Sequence, residues 1–203
     1  VTEGQLLIRL DEALARVTFE STRQRYIGLR AMEGRLLAEQ RGLPKIVFHK
    51  DVLEAAKDDP QIRQIVSTQE QLFDSRRAAL RSDLQAIEEA QQGQRGQLAA
   101  YATILANRKQ QQALLAEELN NTRGLVKEGY APRNRQLELE RMAAEASSGI
   151  ADLMGNTVRA NRTVAELQQR AISRQQEYRK EVESQLADVG REVPAEEEKY
   201  RAA

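Results

Sequence analysis

Leu125-Val126-Lys127-Glu128-Gly129-Tyr130-Ala131-Pro132-Arg133 is the stretch whose reading decides the fold. Behind it, residues 60–128 hold no proline after Pro60, and Gln, Glu, Arg, Ala and Leu dominate. Ahead of it, residues 133–189 are again free of proline. A glycine at the end of one helix and a proline at the start of the next mark a tight helix–helix turn. The preceding segment carries apolar residues three and four apart, at Phe73, Leu80, Leu84, Ile87, Leu98, Tyr101, Leu105, Leu115 and Leu119. Gln91, Gln94, Arg108 and Gln112 interrupt this narrow coiled-coil seam, and Gly93 and Gly96 are expected to weaken or bend the helix. The following stripe is more regular, from Leu139, Met142, Ala146, Ile150 and Leu153 through Ala160, Val164, Leu167 and Ala171 to Tyr178, Val182, Leu186 and Val189. Propensity alone stabilises such helices little, so each hides its stripe against the other. Two helices joined by so short a turn run antiparallel.

Working outward, residues 5–10 read Q-L-L-I-R-L and end at Asp11, a length that suits a β-strand, with a helix start as the alternative. Residues 12–41 form a helix closed by Gly42 and Pro44. Residues 43–59 are irregular, with an apolar cluster at Ile46, Val47 and Phe48 and a short helix over 51–57. Asp58-Asp59-Pro60 is a helix start, a capping carboxylate before a proline at the first helical position. The first helix is about 45 Å long, and residues 43–59 can return that distance if extended. The expected fold is all-α: a long antiparallel α-helical hairpin with an additional helix packed near its base, and a short strand-like segment at the N-terminus. Its parts are 1–11, the strand-like opening; 12–59, the first helix and returning connection; 60–190, the hairpin, with its tip at 129–132; and 191–203, a charged tail. Gly190 and Pro194 are expected to close the last helix, leaving 195–203 open between a frayed end and a continued helix.

Composition agrees with thin helices rather than a ball. Charged residues make up 31% and aromatics only 4%, with no Trp, whereas a compact core draws on large rings. Lys plus Arg equals Asp plus Glu at 31 each, in alternation rather than in a basic stripe, so no nucleic-acid partner is expected. Without Cys there is no disulfide framework or thiolate metal site. No run of about 18 apolar residues marks a membrane span. The chain opens at Val1-Thr2-Glu3-Gly4 without Met and reads as a segment of something longer. His49 stands alone beside Phe48 and Lys50, without partners for a zinc site or a catalytic triad. Glu88-Glu89, Glu117-Glu118 and Glu196-Glu197-Glu198 sit among Lys and Arg as solvated helix surface. No glycine spacing makes a phosphate loop. No catalytic, cofactor or metal site is therefore expected. Leu125, Gly129, Tyr130, Pro132 and Arg133 cluster at the turn; Gly129 is read as turn chemistry, and Tyr130 and Arg133 as candidate partner contacts, because a tip has little core to bury an aromatic.

These residues resemble a family. Val1 to Asp11, with Gly4, Leu7 and Asp11, is similar to the end of the first lipoyl half-motif of HlyD-type membrane fusion proteins, where that half leads into a long helical hairpin. Glu128-Gly129-Tyr130-Ala131-Pro132-Arg133 followed by Leu137-Glu138-Leu139-Glu140 resembles the family's hairpin tip, and the likeness is greatest to adaptors of protease and lipase exporters. The resemblance implies a periplasmic adaptor of a type I secretion system, held at the inner membrane by an upstream helix, assembling as a hexamer. It would join an inner-membrane ABC transporter to a TolC-like outer-membrane channel for an exported protease or lipase, with no cofactor. Charge-rich outer faces would let neighbouring hairpins pair polar flanks. Many members carry Arg, Leu and Ser seven apart at the tip. If Pro132 takes the Ser position, Leu125 matches and Glu118 replaces the Arg, so only Leu125 carries over. The alternative reading is a cytoplasmic coiled-coil scaffold or tether.

Overall fold

The computed structural model describes residues 12–202, which form four α-helices: α1 (Glu12–Arg41), α2 (Lys50–Asp58), α3 (Pro60–Lys127) and α4 (Arg133–Ala202). The lipoyl-like residues Gly4, Leu7 and Asp11, and the strand expected over 5–10, lie outside the described residues. Each boundary has a local cause. Asp59 Oδ1 accepts from Gln61 N (2.9 Å), capping α3 just before Pro60, its first helical residue. Gly42 closes α1 with φ +65, while Leu43 N donates to Ala38 O (2.9 Å). His49 caps α2, its Nδ1 accepting from Asp51 N (3.3 Å), so the lone histidine has a structural role. α3 runs unbroken through Gly93 and Gly96.

The described residues divide into two compact units, one of residues 12–82 with 174–202 and one of residues 83–173. In the first, the additional helix α1 packs with α2, the start of α3 and the end of α4. Tyr26, Ile27, Ala31 and Leu36 of α1 meet Val52 of α2, Ile62 of α3, and Val182, Val189 and Val193 of α4 in one buried cluster. At Gly34 a Cβ would lie 3.2 Å from the Val47 carbonyl oxygen, a tight contact that a larger residue relieves only by pushing the connection back a few tenths of an ångström. A buried ionic network crosses the same unit. Arg35 Nη1 donates to Glu39 Oε1 (2.7 Å), Arg35 Nε to Gln69 (2.8 Å), Arg76 Nε to the other oxygen of Glu39 (3.3 Å), and Arg76 Nη1 to Glu181 (2.8 Å). It ties α1, α3 and α4 together, and nothing in the apolar pattern announced it.

α4 does not end at Gly190 and Pro194. Pro194 lies inside the helix, at a cost of about 3 kcal/mol for the lost hydrogen bond and ring clash. Packing on α1 offsets this. Val193 is buried, worth about 2 kcal/mol, and the Tyr200 ring stacks on Tyr26 (5.4 Å) and meets Phe19 (5.5 Å). Arg30 holds Glu197 (2.8 Å) and Arg25 holds Glu196 (3.4 Å). Tail residues read as a charged end are thus a packed face.

The second unit is the two-helix part, in strict heptads. On α3, Leu84, Ile87, Gln91, Gln94, Leu98, Tyr101 and Leu105, then Gln112, Leu115, Leu119, Thr122 and Val126, are buried or half-buried at alternating steps of three and four; Arg108 alone in this series is exposed. On α4 the series is Leu139, Ala143, Ala146, Ile150, Leu153, Thr157, Ala160, Val164, Leu167 and Ala171. A repeat of 3.5 residues keeps a seam facing its partner over this length. Some assignments move: exposed Met142 gives its place to Ala143, and Gln91, Gln94 and Gln112, expected as interruptions, lie within the seam, with Gln91 buried. With its carboxamide oriented to pair, Gln91 donates to Glu88 (3.3 Å) and accepts from Gln168 N (2.9 Å), a polar contact that penalises register slips.

Candidate functional site

The turn that joins α3 to α4 is built from main-chain bonds. Gly129 adopts φ +84, a left-handed conformation a side chain would strain. Tyr130 N then donates to Leu125 O (2.8 Å) and Gly129 N to Val126 O (3.1 Å), satisfying the last carbonyls of α3. Pro132 directly precedes α4, its carbonyl accepting from Arg135 N (3.1 Å), with its ring fixing φ at the helix entrance. Gly129 and Pro132 are thus the scaffold of the tip.

What the scaffold presents is apolar and open. Tyr130 is 81% exposed, and Leu125 (47%) and Leu137 (51%) are also open to solvent. The last seam residue of α3 is half-buried Val126, next to exposed Leu125. Arg133 is exposed at the first position of α4. The five sequence-selected residues fall on one turn and its helix ends. Leu137 was missed, and its signal is its position outside the heptad series. Below the tip two ion pairs clamp the helices. Arg123 Nη2 donates to Glu140 (2.8 Å), and Arg135 Nη2 donates to Glu118 (2.6 Å) while its Nη1 reaches Glu138 (3.1 Å). The Arg123 bond holds the Glu140 carboxyl below the usual range, helped by Gln136, and the Glu118 bond, with that of Glu138, raises Arg135. Glu118 is thus engaged by Arg135 within the hairpin. What the turn presents to solvent is the Tyr130 ring, flanked along the chain by Leu125, Arg133 and Leu137. Among the described residues, no group of His, Asp and Glu is placed to hold a metal ion, and no helix is long and apolar enough to cross a membrane.

Comparisons with known proteins follow the same lines. Residues 15–203 match the family described as AprE, long alpha-helical hairpin. The alkaline protease secretion protein AprE of Pseudomonas aeruginosa is 36% identical over 189 residues, 93% of this chain and 44% of that protein. The proteases secretion protein PrtE of Dickeya chrysanthemi is 34% identical, over 93% of this chain and 42% of that protein. The type I secretion system membrane fusion protein PrsE of Rhizobium meliloti is 28% identical, over 46% of its length. The chain therefore spans less than half the length of these curated relatives. The crystal structure of the soluble domain of LipC, a membrane fusion protein of a type I secretion system, superposes with a TM-score of 0.88 at 34% identity, covering 98% of this chain and 93% of that one. The chain belongs to the AprE long α-helical hairpin family, among the HlyD-type membrane fusion proteins of protease and lipase exporters.

Proposed function

We propose that this chain is the hairpin of a periplasmic adaptor that links an inner-membrane ABC transporter to a TolC-like outer-membrane channel. The adaptor does no chemistry; it gives an exported protease or lipase an enclosed path, and it works as a hexamer anchored to the inner membrane. The observation that carries the reading is Tyr130, 81% exposed on a turn held rigid by its own main chain. An aromatic without core to bury it is stabilised by a partner surface. Exposed Leu125, Arg133 and the unforeseen Leu137, on the helix ends that flank the turn, add further open surface. The relatives support the reading, since AprE, PrtE and PrsE are secretion proteins, and none is a cytoplasmic scaffold. In cells expressing the protein from its own gene, Tyr130→Ala or Arg133→Glu reduces export of the secreted enzyme while the helical circular dichroism of the purified chain is unchanged. Normal export by both variants would reject tip docking.

A further inference from the structure

The outer faces of the two-helix unit are not uniformly charged. On α4, Ala144, Ala151, Val158, Ala165 and Ile172 recur at heptad spacing, and Ser147, Met154, Asn161 and Gln168 run in the row beside them. All are exposed. On α3, exposed Ala86, Gly93, Ala100, Asn107 and Leu114 form one row, with Ala90, Gln97, Ile104 and Gln111 beside it. Neither stripe holds a charge, in a chain that is 31% charged, and Val158 (63%) and Leu114 (62%) are mostly open to solvent. Charge collects elsewhere, as at Glu145, Asp152, Arg159 and Glu166 on α4. The expectation of charge-rich flanks does not hold on these faces, which are apolar and neutral polar instead.

The ion pairs tell which way each stripe faces. The inner row of α4 continues at heptad spacing to Glu140, which pairs with Arg123; the inner row of α3 continues to Glu118, which pairs with Arg135. On α3, Glu118 and Arg123 stand on either side of the buried Leu119 and Thr122. The two stripes therefore lie on opposite sides of the seam, one on each helix, each roughly 100° around its helix from that seam.

Their side chains also match. The cross-helix pairs Arg123–Glu140, Glu118–Arg135 and Gln91–Gln168 set a register in which Leu119 is level with Leu139 and Leu105 with Leu153. If a second copy stands alongside at the same height, that register sets Ile172 of one copy opposite Ala86 of the other, Ala165 opposite Gly93, Val158 opposite Ala100, and Leu114 opposite Ala144. Large meets small along the row. Beside it, Met154 faces Ile104, Asn161 faces Gln97, and Ser147 faces Gln111, apolar on apolar and amide or hydroxyl on amide. A Cβ at Gly93 would meet nothing within 4 Å inside the chain, so internal packing gives no reason for this helix-weakening residue. Opposite Ala165 of a neighbour it permits close approach.

We infer that the α4 stripe of one hairpin packs against the α3 stripe of a second copy in the same orientation, a head-to-tail contact that repeats with α3 and α4 alternating. Heterologous contacts of this kind close into rings when the rotation allows. The inference rests on the reading of the chain as one subunit of an oligomeric adaptor, and it names the surface by which the subunits meet.

The chain has no cysteine, which makes the test direct. Ala100→Cys and Val158→Cys chains are prepared singly and together, with melting curves to verify folding, and oxidised mildly. The mixture of the two single variants forms disulfide dimers at least tenfold faster than either alone, and the Ala100→Cys/Val158→Cys chain gives a ladder of multimers, since its two thiols face opposite sides. Adding Met154→Lys removes the ladder, while raising salt from about 50 mM to 1 M leaves it within twofold, as uncharged faces require. No crosslink, equal self- and cross-reaction, or a ladder dissolved by salt overturns the proposal. A missing ladder with export still dependent on Tyr130 removes this surface and spares the adaptor reading. A ladder with export indifferent to Tyr130 and Arg133 does the reverse.

Discussion

Replacing Glu39 by Gln deletes one charge at the centre of the buried network while keeping the shape of the side chain. The Glu39 side chain is 0% exposed and that of Arg35 3%, so solvent screens little of what is lost. Removing one partner of a buried ion pair leaves an uncompensated charge, at a cost of about 3–5 kcal/mol. Here Arg35 keeps Gln69 and Arg76 keeps Glu181, which puts the expected loss at the lower end, about 3 kcal/mol. With a urea dependence of about 2 kcal/mol per molar, the midpoint falls by about 1.5 M. Tyrosine emission is weighted towards the right region, because three of the five tyrosines, Tyr26, Tyr178 and Tyr200, lie in the same compact unit as the network. Far-ultraviolet circular dichroism run in parallel separates this transition from that of the second unit. Arg35→Met/Glu39→Leu, which removes the two buried charges together, recovers much of the loss, because the desolvation cost disappears with the charges. A midpoint shift below about 0.3 M for the single variant, or a double variant weaker than the single one, would refute the reasoning.

Three further outcomes follow from the same geometry. Gly129→Ala destabilises by about 1–2 kcal/mol because of its left-handed φ of +84, whereas Gly124→Ala, helical and with nothing within 4 Å of an added Cβ, stabilises by about 0.5–1 kcal/mol; equal effects in urea titrations would count against the turn description. Leu153→Asp puts a carboxylate into the seam and loses at least the roughly 2 kcal/mol of a truncated core leucine, and an unchanged melting curve would reject that seam position. The Arg76 hydrogen bond holds the Glu181 carboxyl below the usual range. A folded value beneath the unfolded one contributes stability that is present above about pH 4.3 and lost as pH falls through the folded value. Glu181→Gln should therefore shrink the fall in urea midpoint below that pH, and an identical acid limb in the two proteins would contradict the assignment.

Helix ends were legible because their causes are local. Gly42, Asp59, Pro60 and Gly129 each act through their own backbone or a neighbour two residues away, and a single sequence carries that information. The hairpin was legible for the same reason, together with the stripes on either side of the turn. What escaped depends on distant contacts. Nothing near Pro194 says that the helix continues; the reason is Tyr26, far back in the chain, on which Tyr200 stacks. Arg35 and Glu39 look like any surface pair spaced by one turn, and only their place beside buried Leu36 marks them as interior. Apolarity, followed without strict heptad counting, chose Met142 over Ala143 and excluded Gln91, whereas spacing alone would have kept the glutamine. At the tip the turn and its helix ends were legible, but the exposure of Leu137 was not, since an apolar residue outside the seam reads as noise in the sequence.

The central claim, that the tip meets an outer-membrane channel, is tested most directly by a single crosslink. Tyr130→Cys, in a chain with no other cysteine, is expressed from its own gene and treated in intact cells with a short thiol-to-amine crosslinker. The account predicts an adduct with an outer-membrane channel protein, absent when the cysteine is moved to Ala86. An adduct only with cytoplasmic proteins, or none with the protein present in the periplasm, would contradict it.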